Sequence, residues 1–96
     1  MILGLDVSTS ITGATVMDNQ GKVVYNEAWD LRKYKEFFQK AVIAKNKIRE
    51  LQSAFNIEKI YIEQSLQSFR SGFSSAKTLS TLSRFNGVVS WLCYDI

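Results

Sequence analysis

A chain of 96 residues, 46% hydrophobic and 22% charged, is long enough for one domain with a real core and too apolar for wholesale disorder. Its net charge of +3, from 12 Lys and Arg against 9 Asp and Glu, suits a phosphate-rich partner but is also what ordinary solvated surface carries. With no His and only Cys93, it can build no serine-histidine triad, no internal disulfide and no histidine or multi-cysteine metal site.

Chemistry must therefore rest on carboxylates, Lys and hydroxyls, which favour hard, oxygen-liking cations such as magnesium. A lone Cys fits a reducing cytoplasm, and on a helix Cys93 packs as a small apolar residue. No uncharged apolar run approaches the ~20 residues of a membrane span, and the N-terminus lacks a signal-peptide pattern. The expectation is a soluble, cytoplasmic protein without a membrane partner. No repeat or proline-rich linker divides it, so residues 1–96 are expected to be one domain.

Ile2–Val7 is nearly continuous in apolar residues and reads as a buried central strand ending in Asp6 and Val7. Ser8, Thr9 and Ser10 make a small-residue turn, and Thr12–Met17 reads as an antiparallel neighbour strand. Gly13 within it suggests a bulge or a close backbone approach. Asp18-Asn19-Gln20-Gly21 is a turn signal, after which Lys22–Ala28 forms a third strand and completes a meander.

From Leu31 to Phe55 the period changes to that of a helix. Tyr34, Phe37, Phe38, Ala41, Val42, Ala44, Ile48, Leu51 and Phe55 form its apolar face, with Lys35, Lys40, Lys45 and Arg49 turned outward. Lys59–Glu63 is a short strand, Gln64–Gly72 a polar loop, and Ser74 to about Leu92 a second helix with Ala76, Leu79, Leu82, Phe85 and Val89 on its apolar face. The order β-β-β-α-β-α predicts an α/β domain. A helix between the third and fourth strands lets the fourth lie parallel to the first.

Two acids stand out. An acid in a run as apolar as Ile2–Val7 is costly to bury unless a cation or hydrogen-bond donors compensate it, which singles out Asp6. Glu63 ends the fourth strand. On neighbouring parallel strands the two carboxylates emerge at one sheet edge and can share a divalent ion, as metal-dependent nucleases require. The competing roles are an Asx-type cap of the Ser8–Thr12 turn for Asp6 and an ordinary exposed strand terminus for Glu63.

The segment Leu3-Gly4-Leu5-Asp6-Val7-Ser8-Thr9-Ser10-Ile11-Thr12-Gly13 resembles the first-strand motif of RuvC-like Holliday junction resolvases, in the RNase H-like superfamily. Ile60-Tyr61-Ile62-Glu63-Gln64 resembles their second acidic motif, and Phe85-Asn86-Gly87-Val88-Val89 falls at the small-residue step of the helix that follows. The resemblance implies an RNase H-like mixed sheet and a metal-dependent endonuclease for branched DNA. Asp6 and Glu63 would be catalytic metal ligands for Mg²⁺ or Mn²⁺. It also implies a homodimer through the helix Ser74–Leu92, with Leu79, Leu82, Phe85, Val89 and Trp91 as apolar contacts.

Ser8, Thr9, Ser10 and Thr12 could meet phosphate through hydroxyls and amides, and Arg70, Lys77 and Arg84 could line a DNA-facing surface with Phe69 and Phe73. The plain alternatives are a polar turn, a solvated basic face and, for Phe73, a hydrophobic staple. Such nucleases complete their site with further acids on a C-terminal helix beyond a fifth strand, and the chain runs only to Asp95-Ile96. The resemblance therefore implies an incomplete site, with C-terminal elements missing. Leu3–Val24 also resembles the opening of the sugar kinase, Hsp70 and actin superfamily, although Val7–Thr12 lacks a phosphate-loop glycine. A non-catalytic DNA-binding or dimerisation module is the third class.

Overall fold

The computed structural model describes residues 1–63 and 76–96, with the backbone alone for residues 76–79. Four strands, β1 (Ile2–Asp6), β2 (Ile11–Met17), β3 (Val23–Asp30) and β4 (Lys59–Glu63), form a sheet in the order β3-β2-β1-β4. Helix α1 (Phe37–Phe55) connects β3 to β4, and helix α2 (Ala76–Asp95) follows. β1 runs antiparallel to β2 and parallel to β4, the crossover expected when a helix separates them.

The pleat sorts the side chains. Leu3 and Leu5 of β1, Thr12, Ala14 and Val16 of β2 and Trp29 of β3 point to one face and are buried. Ala41, Ala44, Ile48 and Leu51 of α1 and Phe85, Val89 and Leu92 of α2 are buried as well, and almost all of these residues share one apolar core. Ile60 and Ile62 of β4 pack against it half-buried. The alternate positions, including Gly4, Asp6, Gly13, Thr15, Tyr61 and Glu63, lie on the other face. Helices thus cover one face, and the other stays open in the described residues.

The β2–β3 hairpin turns on Asp18. Its carboxylate accepts the amides of Gln20 and Lys22, each at 2.9 Å, and Gly21 takes the left-handed φ of 84° that closes the loop. The bulge in this pair lies at Val16/Met17, not at Gly13, which sits in regular register opposite Asp6.

Three expectations need correction. β3 continues to Asp30, and α1 starts at Phe37 rather than Leu31. The cause is local: the Asp30 carboxylate accepts both the amide and the guanidinium of Arg32, at 2.7–3.0 Å, a side-chain turn that competes with helix. Those same bonds hold the Asp30 carboxyl well below its usual range. Next, the apolar face of α1 is narrower than its sequence, because Phe38 is 71% and Val42 52% exposed. Finally, Phe85 and Val89 are spent on the core, so of the described side chains expected at a dimer contact only Trp91 is exposed and Leu82 is half-buried.

Cys93 sits half-buried in a groove with Ile48, Ile57, Ile60 and Ile62, and burial pushes its thiol up to about 11. The neutral thiol is thereby favoured in the folded state. Its contribution to stability is complete below about pH 9 and is lost as pH rises through about 11. Alkylation by iodoacetamide at pH 8 should accordingly be many-fold slower in the native protein than in urea. Equal rates would contradict the burial.

Candidate functional site

In the parallel register of β1 and β4, Asp6 pairs directly with Glu63. Paired residues on parallel strands share a face, so the two acids lie on neighbouring strands, whose backbones are about 4.8 Å apart, at the C-terminal edge of the sheet. Both are exposed on the open face. They border a shallow depression of about 420 Å³ whose other walls include Gly4, Gly13, Thr15 and Tyr61. A Cβ built on Gly13 would stand 3.7 Å from the Cβ of Asp6, so glycine leaves the space beside the acid open.

The burial cost expected for Asp6 is not incurred, since the pleat delivers it to solvent. The capping role is taken by other groups. Ser8 donates its amide to the Thr12 hydroxyl at 3.2 Å, and that hydroxyl donates back to the Ser8 carbonyl at 2.8 Å. The Ser10 amide goes to the Ser8 hydroxyl at 3.1 Å. Thr12, 1% exposed, thus closes the turn from inside, while no described residue hydrogen-bonds the Asp6 carboxylate. With the Ser8 and Ser10 amides occupied within the turn and the Ser8 hydroxyl accepting one of them, the Thr9 amide and the Thr9 and Ser10 hydroxyls are what the turn has left to offer.

The turn is also held from below. Lys40, expected on the outer face of α1, is half-buried and donates to the Thr9 carbonyl at 2.6 Å and the Leu31 carbonyl at 3.0 Å. Leu31 in turn donates its amide to the Ser10 carbonyl at 2.7 Å. Periodicity alone could not reveal Lys40, since any Lys on a helix reads as solvated. The hint available was its place in the first turns of α1, where a cation opposes the helix dipole.

The other expected site residues are dispersed. Arg84 lies on exposed α2 surface with its guanidinium 5.4 Å above the Phe37 ring, which puts it at the N-terminal end of α1, in the helix layer. Lys77 is in the first turn of α2, its side chain outside the described residues, and Arg70, Phe69 and Phe73 also lie outside them. Among the described residues no group of three or more His, Cys, Asp or Glu is placed to hold a metal ion. Two adjacent carboxylates still fit a hard cation that keeps waters and takes its remaining ligands from a phosphate.

No protein-family model matches the sequence, and no curated protein was found that matches it. Among solved structures the chain is similar to T. thermophilus RuvC in complex with Holliday junction substrate, with a TM-score of 0.75 and 12% sequence identity. The match covers 98% of this chain and 57% of that one, so the chain spans little more than half the length of that protein. The sheet order, the parallel β1–β4 pair and the two helices on one face give this chain the RNase H-like fold of RuvC.

Proposed function

We propose that the chain is the RNase H-like portion of a divalent-metal-dependent endonuclease acting on branched DNA, with residues 1–96 as one domain. The observation that carries this reading is the Asp6–Glu63 register pair on the open face of the sheet. The fold likeness to a Holliday junction-bound protein supports branched DNA as the partner class. Asp6 and Glu63 would hold Mg²⁺ or Mn²⁺, which supplies Lewis-acid polarisation for phosphodiester hydrolysis when bound.

The chain's own groups do the positioning. Asp6 and Glu63 would hold the ion at the sheet edge, where its charge would offset the repulsion between the two carboxylates and a phosphate. The hydroxyls of Thr9 and Ser10 orient a backbone phosphate beside Asp6. Lys77 and Arg70 are proposed as further phosphate contacts, and Arg84 as one on the helix layer, away from the acids. Such contacts give salt-sensitive affinity independent of sequence. No helix among the described residues is long and apolar enough to cross a membrane.

The same reading takes the protein as a homodimer through the second helix. Among the described residues the exposed Trp91 and Phe38 of α1 line one groove with Gly87 and Val88 and are proposed for that contact. Trp91→Ala should lower the dimer fraction in sedimentation velocity. An unchanged distribution would remove α2 from the interface.

The direct test compares a labelled four-way junction with a matched linear duplex, in Ca²⁺ for binding and in Mg²⁺ or Mn²⁺ for cleavage. Junction-selective binding is expected, with metal-dependent cuts where further ligands complete the two-acid site. Selective binding indifferent to metal would replace the nuclease by a non-catalytic module. ATP binding without junction binding would favour the kinase-type reading.

A further inference from the structure

Lys40 is the group whose placement the core does not explain. It lies near the positive end of the α1 dipole, in a helix with no acidic residue in its first turn and no side-chain cap at Glu36. Its ammonium is drawn inward and shared between two backbone carbonyls, Thr9 of the β1–β2 turn and Leu31 of the β3–α1 connection. Bonds from a charged donor are the stronger class, and the 2.6 Å contact to Thr9 is short even for one. The Leu31 amide returns to the Ser10 carbonyl, so turn, connection and helix form one closed hydrogen-bonded ring.

We propose that Lys40 is a positioning residue. By holding the Thr9 carbonyl down and inward, it sets the Thr9–Ser10 peptide so that the turn presents its hydroxyls outward beside Asp6. It acts through the turn and touches neither phosphate nor metal. The proposal rests on the nuclease reading for what the turn contacts, but the holding of the turn can be measured without DNA.

The experiment compares wild type with Lys40→Met, which keeps the stem, and Lys40→Arg, which keeps the charge. In Lys40→Met, amide hydrogen exchange at Ser8 and Leu31 should quicken by about tenfold or more, while Ile48 and Leu51 in α1 stay protected. Lys40→Arg should restore most of the protection. Junction affinity in Ca²⁺ should fall about tenfold in Lys40→Met, with the slope of log affinity against log salt unchanged.

Wild-type exchange at Ser8 and Leu31 in Lys40→Met would overturn the proposal whatever happens to DNA. So would faster exchange with full affinity, since the turn would then be held to no purpose. A salt slope reduced by about one ion would also overturn it, by making Lys40 a direct phosphate contact. Failure of the wild-type chain to bind any junction defeats the nuclease reading instead, and the exchange comparison still decides whether Lys40 holds the turn.

Discussion

Asp6→Asn is expected to lower metal-dependent junction cleavage on the order of 10³-fold, roughly 4 kcal/mol at the transition state, while raising thermal stability. The two effects have one cause. Asp6 and Glu63 are like charges directly paired on one face of adjacent strands, and no described residue hydrogen-bonds the Asp6 carboxylate. Such a pair destabilises a sheet by roughly 0.2–1 kcal/mol in the absence of a cation. Neutralising one partner should raise Tm by about 1–8 °C in a chain of this size. Adding Mn²⁺ should raise the wild-type Tm, because a ligand bound only by the folded state stabilises it, and should leave Asp6→Asn unmoved. An acid held by structural hydrogen bonds would behave in the opposite way, losing stability on substitution and ignoring the metal.

Glu63→Gln should reproduce both signs. If the two carboxylates act as a unit, the double variant should lose little more cleavage than either single one. Fully additive losses would mean that the acids serve separate ions or separate steps. A Tm that falls in either single variant would return that residue to a purely structural role.

The strands were legible because their signals are local. The apolar run before Asp6, the Asp-Asn-Gln-Gly turn and the short strand ending in Glu63 each follow from pleat periodicity and turn chemistry. The convergence of the two acids followed from topology, since one helical crossover makes β1 and β4 parallel. At Asp6 an exposed carboxylate stands where the apolar run implies a costly burial. A hydrophobic run says that a strand is central, whereas the alternation of faces decides that its last acid meets solvent. Part of what stayed hidden was a short-range competition between side chain and backbone, in the Asp30–Arg32 turn that delays α1 and the closure of the Ser8–Ser10 turn by Thr12. The inward Lys40 was hidden because it depends on where separate segments meet.

Phe85 and Phe38 look equivalent in the sequence, each a Phe on the apolar side of a helix, and the structure separates them. Phe85 is 0% exposed, and its ring meets Phe37 edge-on with centroids 5.4 Å apart. Phe38 is largely exposed, and its ring meets the same Phe37 ring edge-on with centroids 5.1 Å apart. Phe85→Ala should therefore cost about 3–5 kcal/mol, because the cavity opens between α2 and the start of α1 where neither helix can collapse freely. Against a total stability of roughly 5–15 kcal/mol, that leaves the chain close to unfolded. Phe38→Ala should cost about 0.5–1.5 kcal/mol, the worth of one aromatic edge contact. Urea unfolding measures both, and an unchanged m-value would assign the difference to the folded state. A Phe38→Ala cost that grows with protein concentration would mean that this face is covered by a second copy in solution, since only association makes stability depend on concentration.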